Sequence, residues 1–350
     1  MNVNQLDTPA LVVDLDIFDR NLTRVSEYAA AHNLRLRPHT KTHKSPEIAR
    51  RQLELGAAGL TVAKIGEAEV LVPQLPPVDL LIAFPIFGEL KVERLKKIAA
   101  QTQATVALDS LEAAEQLKGT GVGILVEIDV GLGRVGVAPT EAPALAKSIQ
   151  GIDGITFRGI TFYPGHIKHE DPEGIKALSD VISRIASTLD PEIISGGSTP
   201  TLFHSHEVEG LNEIRPGTYV YNDLNTIESG ACTLDDCAAS VLVTVVSLPK
   251  PGAMIVDGGS KTFSSDRLSG STAATFGRLV EDPAAVFHKM NEEHGFIDIS
   301  KCERKFHLGE KIHIIPNHVC VVMNLHEQVH GHRNHEVERT WQVAARGKLQ

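Results

Sequence analysis

Cysteine is scarce in this chain: Cys232, Cys237, Cys302 and Cys320 are the only four in 350 residues. So few thiols exclude a disulfide scaffold. An excess of positive charge is missing too. Lys and Arg total 34 against 44 Asp and Glu, for a formal net charge of −10. No basic stripe remains to meet phosphates, which excludes nucleic acid as a partner. No apolar run approaches the roughly 18 residues that span a bilayer, so no membrane partner is expected. The first seven residues lack the charged and apolar regions of a secretory signal, and a cytoplasmic location is the expectation. Internal repeats and low-complexity tracts are absent. What is present is the composition of a globular protein, 42% hydrophobic and 22% charged, with enough apolar residues for a sizeable core. The length allows one large or two ordinary domains. Histidine is plentiful: there are sixteen, and six of them fall between His313 and His335. Such tracts can bind metal, although most histidines are surface residues.

Along the chain, strand-like and helix-like segments alternate from about residue 10 to 230. Strands are expected at 10–14, 34–37, 60–63, 80–84, 104–108, 123–128, 155–162 and 193–194. Helices are expected at 17–32, 46–55, 66–71, 90–100, 111–117, 142–149 and 174–189. This alternation implies a parallel sheet covered by helices. About eight units in this length fit a closed (β/α)8 TIM-like barrel, with an open doubly wound sheet as the alternative. Beyond residue 230 the texture changes to strand-like runs at 240–246, 253–257, 311–315, 318–323 and 337–345, with 282–293 a short helix or loop. Strands without long helices between them predict a mostly antiparallel β domain. The expected division is a barrel over 8–230 and a C-terminal β domain over 231–350, with residues 1–7 free to pack with the latter.

Barrel chemistry collects where strands end, and four loops stand there. The first is Arg37-Pro38-His39-Thr40-Lys41-Thr42-His43-Lys44. A lysine among cations near a pocket has a lowered pKa, and its amine can attack a carbonyl. A solvated basic strand end is the plainer reading. The second, 127–136, combines tight glycine turns with Arg134, which could hold an oxyanion or simply form a surface turn. The third puts Tyr163, His166 and His169 after a strand, where histidine serves as a general base or faces water. The fourth, Gly197-Ser198-Thr199 with Arg215-Pro216-Gly217-Thr218 close behind, offers a backbone N–H nest for phosphate. It lacks the Gly-Lys-Ser/Thr ending of a P-loop. In the C-terminal part His318 and Cys320 are two apart in a strand-like run, so they share a face and suit a divalent metal. The alternative there is a buried cysteine beside a surface histidine.

Taken together, these residues resemble the fold type III enzymes that use pyridoxal 5′-phosphate (PLP). The resemblance is to the group of D-threonine aldolase, D-serine dehydratase and 3-hydroxy-D-aspartate aldolase or dehydratase, relatives of alanine racemase, and it covers nearly the whole chain. Pro38-His39-Thr40-Lys41-Thr42-His43-Lys44 is similar to the cofactor-lysine motif. Asp257-Gly258-Gly259-Ser260-Lys261, Ser264-Ser265-Asp266, Glu293-His294-Gly295 and Pro316-Asn317-His318-Val319-Cys320 are similar to the β-domain pattern. The His-x-Cys pair selects the metal-dependent branch.

The resemblance implies roles. Lys41 carries PLP. Gly197, Ser198, Thr199, Gly217 and Thr218 hold its phosphate. Arg134 meets its phenolic oxygen, Arg215 its pyridine nitrogen, and Tyr163 lies beside it. His318 and Cys320 bind a divalent metal, Mn2+, Mg2+, Co2+ or Zn2+. His169, six residues past Tyr163, stands where the aldolases have their base. The implied activity is D-threonine aldolase-like cleavage of a small D-β-hydroxy-α-amino acid to glycine and an aldehyde, by a homodimer. The alternative is dehydration of D-serine or D-threo-3-hydroxyaspartate to a keto acid and ammonia. Cys320 keeps that open, because some aldolases of the group carry Asp there and dehydratases tend to carry Cys. A racemase and a non-catalytic PLP-binding protein are the remaining readings.

Overall fold

The computed structural model describes residues 1–268 and 275–350. The chain divides into two compact units. Residues 23–41, 45–217 and 347–350 form one, and residues 1–22, 42–44 and 218–346 form the other.

The first unit holds eight parallel strands. Across the sheet they run Arg35–Leu36, Glu213–Ile214, Ile193–Gly196, Thr156–Phe162, Gly123–Ile128, Gln103–Leu108, Asp79–Ile82 and Leu60–Val62. The two ends meet: His39 bridges Thr61, and the Thr40 N–H donates to the Thr61 carbonyl at 2.8 Å. Nearly every residue of these strands is buried, which is why they read as short apolar runs rather than alternating ones. Between the strands, helices form where apolar residues recur every three or four positions. In Pro172–Leu189, Ile175, Leu178, Ile182 and Ile185 are the buried stripe. Pro172 opens that helix, the Asp171 carboxylate accepts the Gly174 N–H at 2.8 Å, and Asp190 ends it at φ 45°.

One end of the barrel interior is charged. Asp79 accepts from Arg37 at 3.0 Å and from Arg158 at 3.1 Å, and Arg37 Nε lies 2.9 Å from Glu213 Oε1. Gly59 and Gly123 leave the room these long side chains need. A Cβ at Gly59 would collide with Arg37, and one at Gly123 with Arg158. Buried charges survive when paired and hydrogen-bonded. The hydrogen bonds and charges of Arg37 and Arg158 outweigh burial at Asp79 and hold its carboxyl below the ordinary value.

The second unit is a nine-stranded, mostly antiparallel sheet. Its centre is the long strand Ala239–Lys250, which pairs with Ala10–Asp14, Ala253–Val256 and Lys311–Pro316. The hairpin of Gln328–Arg333 and Glu336–Gln342 extends one side. Val286–Met290 and Gly295–Asp298 extend the other. Gly277–Leu279 pairs with Lys311–Pro316.

The barrel and the antiparallel domain match the expectation, but two assignments change. Ala10–Asp14 does not open the barrel. It joins the other sheet, antiparallel to Ala239–Lys250 and parallel to Gln328–Arg333, and the remaining barrel strand is Glu213–Ile214. An apolar run buried on both faces carries no mark of which sheet takes it. The run 318–323 is not a strand: Val319–Leu325 is a helix with His318 at its N-cap. Its β-branched valines favour a strand, but the carboxylate of Asp223 accepts the Val319 N–H at 2.9 Å and starts a helical turn.

Candidate active site

Lys41 lies in the turn after Arg35–Leu36, half-buried. Its backbone N–H meets His39 Nδ1 at 3.4 Å, and its ammonium stands 5.9 Å from the centroid of the Tyr163 ring. The Arg134 guanidinium lies over the same ring at 4.6 Å. Cation–ring contacts of this kind orient both partners. Tyr163 follows Thr156–Phe162 and packs against Gly165, where a Cβ would run into the phenol ring. Lys44 is placed differently. It is buried at 6% exposure with φ 50°; its carbonyl accepts the Ala345 N–H at 3.0 Å and its ammonium reaches the Ala345 carbonyl at 3.5 Å. Lys44 is therefore engaged in packing.

Arg134 is carried by a loop that Asp129 shapes. Its carboxylate accepts the N–H of Gly131 at 2.9 Å and of Gly133 at 3.1 Å. These bonds hold its carboxyl below the usual range. The Gly136 N–H donates to Asp109 at 2.9 Å.

Arg215 follows Glu213–Ile214 and is buried. It donates to Ser195 Oγ at 2.7 Å and to the Phe162 carbonyl at 3.1 Å, and Ser195 donates onward to Glu213 at 2.7 Å. Burial pushes this guanidinium below its ordinary value, against the charges of Glu127 and Glu213. Burial likewise raises the Glu127 carboxyl, against the charges of Arg215 and Arg134. Glu127, Thr161, Ser195 and Glu213 are in register across four neighbouring strands, so they form one polar layer inside the barrel.

The loop after Ile193–Gly196 turns at Gly197, φ 84°, a conformation that favours glycine. It closes on itself: the Ser198 N–H donates to Thr201 Oγ1 at 3.1 Å, and Ser198 Oγ and Thr201 Oγ1 are 3.1 Å apart. Ser198 and Thr199 are buried. Gly217 closes the neighbouring loop, where the Pro216 carbonyl accepts the His39 N–H at 2.9 Å.

His169 sits in the irregular segment before Asp171. Its ring is 4.6 Å from that of His204, and its buried Nδ1 has no hydrogen-bond partner among the described residues. Thr161 Oγ1 is a second such atom. Buried polar atoms are nearly always satisfied; Arg37 Nε and Glu213 Oε2 are further such atoms of this unit.

In the second unit, Cys320 Sγ lies 3.3 Å from Thr42 Oγ1 and 3.8 Å from Thr218 Oγ1. His318 and Cys320 hydrogen-bond each other, which pushes the imidazole up to about 9 against burial. Asp266 Oδ2 is 3.3 Å from His318 Nδ1. Among the described residues no three His, Cys, Asp or Glu side chains converge as a metal cluster. Asp223 is buried at 1% exposure and holds this corner. One oxygen accepts from Thr226 N–H and Oγ1, each at 2.8 Å, and the other from Val319 N–H.

Sequence reasoning missed Asp223, Glu213 and His204. The first two had a signal: Glu213 is a carboxylate directly before the buried apolar Ile214, and Asp223 is a cap residue before Leu224-Asn225-Thr226. His204 had none, because only the fold brings it to His169.

Both parts of the chain match known protein families. Residues 13–225 match the family described as "Alanine racemase, N-terminal domain", and residues 238–332 match the "Putative serine dehydratase domain". The chain is 32% identical to a 3-hydroxy-D-aspartate aldolase of Paracoccus denitrificans, over 99% of this chain and 94% of the relative. It is 31% identical to a D-threo-3-hydroxyaspartate dehydratase of Delftia sp., over 90% of this chain and 91% of that one. It superposes on the crystal structure of D-threonine aldolase from Filomicrobium marinum with a TM-score of 0.91 at 30% identity, covering 99% of this chain and 98% of the other.

Proposed function

The chain belongs to the fold type III family of PLP-dependent enzymes built from an alanine racemase N-terminal domain and a serine dehydratase-type domain, and we propose that it cleaves D-β-hydroxy-α-amino acids to glycine and an aldehyde. The observation that carries this reading is His169, a half-buried imidazole whose buried Nδ1 has no partner among the described residues. It is a base with its place for a substrate proton open.

The residues fit the cofactor. Lys41 supplies the amine, and the Tyr163 ring beside it is flanked by Arg134. Arg215 is a donor only, so it suits an unprotonated pyridine nitrogen. Ser198, Thr199 and the turns at Gly197, Gly217 and Thr218 suit a phosphate. PLP, when bound, supplies an electron sink for the carbanion left at Cα. His169 takes the β-hydroxyl proton as the Cα–Cβ bond breaks. His318 and Cys320 fit a divalent ion as a two-donor site with open positions, and thiolate with imidazole suits a borderline metal such as Zn2+ or Co2+. Such an ion would lower the pKa of the substrate hydroxyl.

Dehydration is the second reading, and Cys320 favours it. Incubation with PLP and a divalent metal on D-threonine, D-serine and D-threo-3-hydroxyaspartate separates the two. Glycine plus aldehyde is the expected outcome. A keto acid and ammonia from every substrate, with no aldehyde, would refute cleavage.

A further inference from the structure

We infer that His204, backed by Glu207, is the partner of His169: it sets the orientation of that ring and carries its proton to solvent. This rests on His169 being the base of the proposed reaction. The three residues come from neighbouring barrel loops. His169 lies after Thr156–Phe162, and His204 and Glu207 lie in the 3-10 turn Leu202–Glu207 after Ile193–Gly196. The rings of His169 and His204 are 4.6 Å apart and tilted by 57°. His204 Nδ1 is 2.6 Å from Glu207 Oε1. A neutral His204 then carries its hydrogen on Nδ1, towards the carboxylate, and its lone pair on Nε2. Exposure rises from His204 to Glu207. His169 Nδ1 is buried, whereas the His204 side chain is 32% exposed and that of Glu207 43%.

Backbone structure does little to fix His169. Its segment is irregular and joins the helix only at Asp171, so side-chain contact must orient the ring. On its other side His204 neighbours His206, whose Nδ1 meets Tyr28 OH at 2.8 Å and whose ring stacks on His32 at 3.9 Å. Burial first, then His32, hold His206 below its ordinary value. These groups and Glu207 are the titratable neighbours of His204.

The proton balance requires such a route. His169 gains the hydroxyl proton as the Cα–Cβ bond breaks, the carbonyl forms and the electron pair stays at Cα. Cα is then protonated from a different donor. After each turnover His169 holds one proton too many and that donor one too few, and solvent must reconnect them. An imidazole on a carboxylate, beside the buried Nδ1 of a half-buried base, provides the path.

Two variants test this in the holoenzyme: His204→Phe, which keeps a ring against His169, and Glu207→Gln. Histidine C2 hydrogen exchange, read by mass spectrometry, follows the titration of His169 itself. A shift in its midpoint of about half a pH unit is expected in both variants, from loss of a polar ring neighbour in His204→Phe and of a nearby charge in Glu207→Gln; an unchanged His169 profile in both overturns the proposal. In turnover, His204→Phe should lower kcat about tenfold, leave KM nearly unchanged, and recover with added imidazole buffer. Packing alone would be rescued by the phenyl ring and would not respond to buffer. A wild-type kcat in His204→Phe, or a loss that buffer does not relieve, also overturns the proposal. If the wild type forms a keto acid and no aldehyde, the cleavage reading falls, while the exchange profile still decides whether His204 serves His169.

Discussion

Two lysines in one short run have opposite fates. Lys44 is spent on the Ala345 backbone, while Lys41 faces the Tyr163 ring. Lys41→Ala should abolish the visible absorbance of bound PLP and all turnover, whereas Lys44→Gln should keep the absorbance. Spectra of the two purified variants check this. His169→Ala should lower aldol cleavage about 10²–10⁴-fold, the usual weight of a general base, and leave the absorbance in place. Cleavage that persists in His169→Ala assigns the proton to another group. Lys41 was singled out because its type and flanking residues form a motif, and its role remains the proposal that those spectra test. The engagement of Lys44 was not, since Ala345 is 301 positions away.

At the scale of elements, one carboxylate overrules local propensity. Asp223 ties together the start of Leu224–Glu228 and the start of Val319–Leu325. Removing it orphans buried N–H groups, each a cost of about 1–3 kcal/mol. Asp223→Ala should therefore lower the melting temperature visibly in calorimetry. Because the same turn presents His318 and Cys320, it should also weaken Co2+ binding about tenfold or more, as loss of an outer-shell contact does elsewhere. The thiolate charge-transfer band in a Co2+ titration reads that affinity directly. An unaltered titration would detach Asp223 from the donor pair. Sequence placed the pair on a strand because Val319-Cys320-Val321-Val322 has strand composition, and the long-range cap that reverses this cannot be seen locally.

For the molecule as a whole, the charged end of the barrel sets the response to acid. Hydrogen bonds to Arg37 and Arg158, with their charges, overcome burial and keep the Asp79 carboxyl below its ordinary value. The folded pKa is below the unfolded one. The stabilisation is therefore complete above about pH 4 and is lost as pH falls through the folded value. Melting curves between pH 7 and strong acid should show this loss. Asp79→Asn should flatten the acid limb and cost about 3 kcal/mol at neutral pH, because two buried guanidinium groups each lose one charged partner. No described helix is long and apolar enough to cross a membrane. We expect a homodimer in solution, and sedimentation at micromolar concentration checks it; a fully active monomer would count against it.

Sequence by itself determined the fold class, the strand–helix rhythm and the positions of Lys41, Tyr163 and the Gly197 loop. These depend on local periodicity and on residue type at strand ends. Tertiary structure alone decided three other matters: that Ala10–Asp14 leaves the barrel, that Cys320 rides on a helix, and that His204 meets His169. Each is settled by a contact between residues distant in sequence. Burial and hydrogen bonding at such contacts outweigh the propensity of the segments they join.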